Sequence, residues 1–253
     1  MGTALVRGLC DAGWDAASVS VIEVDEARRA ALGGALPGVT LASTPVAAEG
    51  AVLAVKPQSA KEAARDLAAV QVPRWLSIMA GVTLERLQSW AGPQVAVVRA
   101  MPNTPALVGA GMTAIAAGAN AKEDDLAWAE ELLGAVGQVV RVPEEALDAV
   151  TAVSGSGPAY VFLLADAMAA AGVEQGLDPE LSRRLALATV AGAGRLLAEP
   201  GADPAALRAQ VTSPGGTTEA ALSVLEAAGL RQDIVRAVAA AAERSRQIGA
   251  EPG

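Results

Sequence analysis

Apolar residues recur in two different rhythms along this chain, and the rhythm changes near Pro143. Before that point, short and nearly continuous apolar runs alternate with stretches whose apolar positions return every three or four residues. The short runs predict strands over Ser18–Val24, Val39–Leu41, Ala51–Val55, Trp75–Met79, Val95–Arg99, Met112–Ala116 and Gln138–Val142. The longer stretches predict helices over Met1–Ala12, Glu26–Gly33, Ser59–Ala69, Leu84–Trp90 and Lys122–Val136. Buried strands alternating with helices imply a parallel sheet covered on both faces, so residues 1–143 read as a doubly wound α/β domain. From Glu144 the strand signal ends. Helices are expected over Tyr160–Ala171, Pro179–Ala198, Pro204–Val211, Thr217–Ala228 and Arg231–Gly249, with Asp178 and Asp203 as N-caps ahead of first-turn prolines. Residues 144–253 therefore read as an all-α domain.

Composition narrows the chemistry. The 253 residues are 52% hydrophobic and 19% charged, enough for one large core or two modest ones, and the aromatic share of 2% makes those cores small-residue and closely packed. The chain has no histidine. That removes Ser–His and Cys–His nucleophiles, imidazole acid–base catalysis and every metal site that needs histidine. Cys10 is the only cysteine, which excludes intrachain disulfides and Cys-rich metal centres and suits a reducing, cytoplasmic compartment. A net charge of −9 argues against nucleic acid or an anionic membrane as partner. No uninterrupted apolar run is expected to be long enough to span a bilayer, the candidate Leu185–Ala198 being short and carrying Arg195, and the N-terminus lacks the pattern of a signal peptide.

In a dinucleotide-binding unit a strand leads through a Gly-x-Gly-x-x-Gly turn into a helix whose amides hold the pyrophosphate. Here the helix begins at Met1-Gly2, so Gly2 can be only the last of those glycines. Glu23 and Asp25 close a strand about 20 residues later, where a carboxylate accepts hydrogen bonds from adenosine ribose. Arg28 and Arg29 follow closely, placed either to meet a 2′-phosphate or to face solvent. The buried run Ala51–Val55 stops in Ala54-Val55-Lys56-Pro57, at the sheet edge where open α/β sheets bind ligands. After another strand, Met101-Pro102-Asn103-Thr104 places an amide and a hydroxyl in a proline-stiffened turn. Those groups suit a carboxamide such as that of nicotinamide, or simply a self-capping Asx turn.

The helical half carries two glycine-rich segments, Val153–Tyr160 and Gln210–Glu219, each leading into a helix. Helix N-termini with free amides and small hydroxyls suit anions, though structural capping is the default for either alone. Neither contains the Gly-Lys-Ser/Thr of a P-loop.

Taken in order, Ala54–Gln58, Arg99–Pro105, Asp148–Tyr160 and Val211–Glu226 resemble pyrroline-5-carboxylate reductase over essentially the whole chain. The resemblance implies a Rossmann domain binding NADPH or NADH, and a helical domain that pairs two subunits, with dimers often joined into rings of ten. It implies reduction of 1-pyrroline-5-carboxylate, a cyclic imino acid, to L-proline. It places Gly2, Glu23, Ala54, Val55, Lys56, Pro57, Met101, Pro102, Asn103 and Thr104 on the cofactor. Thr151, Ser154, Ser213, Gly215, Gly216, Thr217 and Thr218 fall on the substrate, with Ser213 and Thr218 as the catalytic candidates. Against that family's pattern, a first strand and most of the Gly-rich turn, roughly ten residues by the lengths of such units, are expected to be lacking. A protonated imine accepts hydride without a strong protein acid, so donors to its nitrogen and a carboxylate clamp suffice.

Two alternatives stand beside this one. One is an oligomeric remnant that no longer binds cofactor. The other is a related two-domain imine or hydroxyacid oxidoreductase. The hydroxyacid enzymes need a lysine in the helical half, and Lys56, Lys61 and Lys122 all lie in the first. The long Ala- and Leu-rich faces of Ser182–Ala198 and Ile234–Ile248 are expected to form a two-fold interface.

Overall fold

The computed structural model describes residues Met1–Ala250 and divides into two compact units. The first comprises Met1–Ser156 together with the final turns of the last helix from Ala241, and the second Gly157–Ala240. These boundaries differ from the change of rhythm at Pro143 because the helical segment that follows still packs on the sheet. Leu147 is 1% exposed within the core there. Glu251–Gly253, included in the expected second domain, lie outside the described residues.

In the first unit, α1 (Gly2–Asp11) leads to β1 (Ser20–Ile22), α2 (Glu26–Ala35) and β2 (Thr40–Ala42), and β1 and β2 pair in parallel. Five further strands form a second sheet: β3 (Ala51–Leu53), β4 (Arg74–Ser77), β5 (Ala96–Met101), β6 (Gly111–Ala117) and β7 (Gly137–Arg141), in that order. The break between β1 and β3 falls where a doubly wound order places the strand ahead of α1. α3 (Ala60–Ala69) and α4 (Leu84–Ala91) follow β3 and β4, and α5 (Glu123–Gly134) joins β6 to β7.

The sheet is mixed, which corrects the expectation of an all-parallel one. β5 and β6 run antiparallel, with Arg99 opposite Ala116 and Met101 opposite Ala114. The physical reason is the connection. Only nine residues, including the 3-10 turn Thr104–Val108, separate Met101 from Gly111, too few for a helical crossover.

The strands do alternate between two covered faces. Trp75, Val97, Ala114 and Ala116 point toward the cluster with α3 and α4, while Leu76, Val98 and Ile115 point toward Leu5 and Leu9 of α1 and Leu132 and Leu133 of α5. Gly8 permits the close approach of α1, since a Cβ there would lie 2.3 Å from a Val136 methyl and 2.9 Å from the Ala135 carbonyl.

After β7, α6 (Leu147–Val150) passes through a π-helical turn, Thr151–Gly155, into α7 (Gly157–Glu174). α8 (Pro179–Ala198), α9 (Pro204–Gln210), α10 (Thr217–Ala227) and α11 (Leu230–Ala250) complete the chain. Asp178 and Asp203 cap α8 and α9 as expected, each accepting two first-turn amides. The second unit buries little. Ser182 donates to the Ala169 carbonyl at 2.6 Å, and with Ala186 it forms the closely packed side between α7 and α8. Phe162, Leu163, Leu164, Leu181 and Leu185 stand exposed. The helical run Glu144–Glu174 is long and apolar enough to cross a membrane by length and composition, unlike Leu185–Ala198, because helix continues through Thr151–Gly155.

Candidate active site

At the carboxyl ends of the parallel strands, the first unit gathers the residues expected at the cofactor. The N-terminus of α1 has no side-chain cap, and a Cβ on Gly2 would lie 3.3 Å from that of Ala54. The first helix therefore starts against the segment leaving β3. Ala54, Val55 and Lys56 are exposed there, and Pro57 opens the 3-10 turn Pro57–Ser59, its side chain lying outside the described ones. Open first-turn amides beside a lysine-bearing strand end suit a dinucleotide pyrophosphate in charge and in size.

At the end of β1 the Glu23 carboxylate accepts the Asp25 amide at 3.0 Å, and Asp25 caps α2 by accepting the Arg28 amide at 2.8 Å. Arg29 folds back onto this turn, donating to the Glu23 carbonyl at 2.6 Å and to that of Val24 at 3.4 Å. It therefore neither faces solvent alone nor stands clear for a phosphate.

Beyond β5, Met101 and Asn103 are half-buried, Pro102 is buried and Thr104 is exposed. The structure brings Asn103 to Ser154, its Nδ2 donating to both the Ser154 carbonyl and hydroxyl at 3.2 Å. Thr151 back-bonds to the Leu147 carbonyl at 2.8 Å. One expectation fails here. Val153–Tyr160 is not a glycine-rich turn with free amides, because the Ser156 amide is already bonded to the Thr151 carbonyl at 2.8 Å within the π-helical turn. Helix precedes this segment as well as following it, so no N-terminus opens there.

The second unit presents the loop before α10. Gly216 is its N-cap, without a side-chain cap, and Gly215 has φ +71°, the left-handed conformation a glycine accepts. The Gly216 amide donates to the Ser213 carbonyl at 3.0 Å, and Glu219 reaches back to accept the Gly215 amide at 2.7 Å. Both glycine amides are thus engaged in shaping the loop, contrary to the expectation for Gly216. The first-turn amides of Thr217 and Thr218, with the hydroxyls of Ser213, Thr217 and Thr218, are what the loop offers an anion. A concavity of about 410 Å³ between α9 and α10 is lined by Arg208, Thr212, Glu219 and Ser223 among others, and holds none of the expected substrate contacts.

Sequence reasoning missed Glu144. One of its oxygens accepts both the Leu84 amide at the start of α4 and Arg99 Nη1 of β5, each at 2.7 Å. Arg99 is 9% exposed, so this carboxylate balances a nearly buried charge. Local patterning shows neither partner, which lie 60 and 45 residues away. Asp148 likewise accepts the Ser245 hydroxyl at 2.6 Å, fastening the end of α11.

An open strand edge with dinucleotide-type donors, followed by a helical unit with a loop suited to a small anion, defines a two-domain nicotinamide-dependent oxidoreductase. Residues 144–248 match the family model described as pyrroline-5-carboxylate reductase dimerisation. The pyrroline-5-carboxylate reductase of Synechocystis sp. is 51% identical over 199 residues, covering 78% of this chain and 74% of that protein. That of Pseudomonas aeruginosa is 40% identical, covering 100% of this chain and 95% of that one. Among solved structures, the pyrroline-5-carboxylate reductase of Coxiella burnetii superposes with a TM-score of 0.92 at 34% identity, over 98% of this chain and 94% of that chain. The Plasmodium falciparum pyrroline carboxylate reductase with NADP bound gives 0.84 at 28%, over 98% and 94%. The chain belongs to the pyrroline-5-carboxylate reductase family.

Proposed function

We propose that this chain reduces 1-pyrroline-5-carboxylate to L-proline with NADPH or NADH, and that the loop Ser213–Thr218 holds the substrate. Family membership supports the reaction. The observation that carries the substrate site is the uncapped start of α10, where amides and hydroxyls converge without a protein acceptor in the cap.

The amides of Thr217 and Thr218 clamp the substrate carboxylate, an anion at a helix N-terminus. Ser213 and Thr218 supply hydroxyls to the carboxylate and the ring nitrogen. Gly215 and Gly216 shape the loop rather than donate from it. A reduced nicotinamide bound there would supply the hydride for the C=N carbon. Holding the protonated imine in one orientation does the rest, because its carbon is already electrophilic. On the first unit, Gly2 with Ala54–Pro57 would hold the pyrophosphate, Glu23 the adenosine ribose, and the Met101–Thr104 turn the nicotinamide end.

Residues 144–248 form the dimerisation region, and the exposed apolar sides of α7 and α8 supply its contact surface. Further assembly into a ring of five dimers and a cytoplasmic location complete the proposal. The test is nicotinamide oxidation by the purified chain with the imine as substrate. Turnover with the imine is expected. A folded protein that leaves it untouched but reduces a keto acid would sink the reading.

A further inference from the structure

Asn103 makes a bonding pattern that direct nicotinamide contact does not explain. Its Oδ1 accepts the Met112 amide at 2.9 Å. A backbone N–H only donates, so this bond settles which end of the side-chain amide is oxygen. The nitrogen end then faces Ser154, donating to the carbonyl and to Oγ, both at 3.2 Å.

The chain itself makes those two acceptors unusual. Pro158 lies four residues after Ser154 and has no N–H, so the Ser154 carbonyl cannot receive an ordinary α-helical bond. The preceding residues, Thr151–Gly155, widen into a π-helical turn, a local form that often marks functional positions. Asn103 supplies from outside the helix the donor that proline removes. The end of β5 abuts the same turn a second time, since a Cβ on Gly155 would lie 2.6 Å from the Met101 methyl. A hydroxyl that accepts a bond at Oγ retains its own proton to donate. The tie therefore sets not only where Ser154 sits but which way its hydroxyl is polarised.

We propose that Asn103 is a positioning residue that holds the π-helical turn and commits the Ser154 hydroxyl to donate to an acceptor oxygen of the reacting pair. That oxygen belongs either to the nicotinamide carboxamide or to the substrate carboxylate. The inference rests on the reductase reading of the site and reassigns Asn103 from contact to support.

Asn103→Asp is the informative substitution. It keeps an acceptor for Met112 but cannot donate to the Ser154 carbonyl, and its carboxylate accepts the hydrogen bond that the Ser154 hydroxyl would otherwise give the ligand. Turnover is expected to fall about 10- to 100-fold, the range for a misplaced donor. The primary isotope effect with deuterated cofactor should rise, and Ser154→Ala should produce the same change. The double variant should be no slower than the slower single one, because both remove one unit. If NADH affinity weakens in cofactor-binding titrations, the acceptor is the carboxamide; if KM for the imine rises instead, it is the carboxylate.

The tie is also read without cofactor or substrate. Hydrogen exchange in the apo-protein should quicken across Ser154–Tyr160 in Asn103→Asp, while the Met112 amide stays protected. Additive losses in the double variant, unchanged kcat in Asn103→Asp, or unchanged exchange would overturn the proposal. A wild-type chain without imine reductase activity would count against the proposed function alone, since the exchange measurement still decides the tie.

Discussion

Individual side chains at the strand ends are held by bonds that decide what they offer a ligand. The Glu23 and Asp25 carboxylates flank the end of β1, and the Arg29 guanidinium is turned onto backbone carbonyls. Carboxylates there accept ribose hydroxyls and repel a 2′-phosphate. NADH is therefore expected to bind more tightly than NADPH, and Glu23→Ser should shift the ratio of dissociation constants toward NADPH by about tenfold, roughly 1.4 kcal/mol. Titration with each cofactor checks it, and an unchanged ratio would remove Glu23 from the site. Thr218 faces a similar choice between capping and chemistry. Its loss as a cap would cost on the order of 1 kcal/mol, whereas its loss as a transition-state donor would raise the barrier by about 2–4 kcal/mol. In the structure α10 has no side-chain cap. Thr218→Ala is accordingly expected to lower kcat much more than the melting temperature, with kinetics and calorimetry run on the same preparation.

Elements are joined by a few long-range polar contacts that a window of sequence does not reveal. Glu144 ties the start of α4 to Arg99 on β5. Removing it strands a guanidinium with little solvent and leaves a helix amide without its acceptor. Glu144→Ala should lose about 2 kcal/mol of stability, seen as a lower urea midpoint with an unchanged slope. Arg141 of β7 joins Glu123 and Glu130 of α5, with its Nε and Nη2 paired to Glu130 and its Nη1 to Glu123. Those hydrogen bonds hold both carboxylates below the ordinary glutamate range. A depressed carboxylate contributes stability above its unfolded pKa and loses it as pH falls through its folded one. The stability difference between wild type and Arg141→Gln is thus expected in full at neutral pH and should fade as pH falls through the lowered folded-state values, vanishing once both carboxylates are protonated. A difference that persists there would mean Arg141 acts by packing.

The assembly turns on which side of each helix remains exposed. Ser182 and Ala186, on a face expected to meet a partner, lie 2% and 4% exposed and pack within the chain instead. The far end of α11 is likewise engaged, with Ser245 on Asp148 and a methyl of Ile248 where a Gly81 Cβ would fall, 2.4 Å away. What stays open is Phe162, Leu163 and Leu164 on α7, Leu185 on α8, and Ile234 and Val235 on α11. Residues 144–248 match a dimerisation family model, so a second copy is the expected cover for this surface. Leu185→Glu should therefore lower the sedimenting mass and the activity together, whereas Arg184→Glu, at a neighbouring charged position, should disturb both less. An active monomer from Leu185→Glu would place the interface elsewhere.

Residue order alone was enough for an α/β region followed by a helical one, most strand and helix positions, the aspartate caps and the family, because periodicity, first-turn prolines and motif spacing are local properties. The same order misled where a contact or a connection, and not the apolar rhythm, decides the outcome. β5 and β6 look like any two buried strands, yet the short connection turns them antiparallel. Val153–Tyr160 looks like a glycine-rich entry to a helix, yet helix already precedes it and Asn103 from another element ties its turn. Gly216 looks like a donor until Ser213 takes its amide. Small residues on α8 look alike on every side until α7 covers one of them. In each case the deciding term is a hydrogen bond, a packed face or a connection length, none of which apolar periodicity reports.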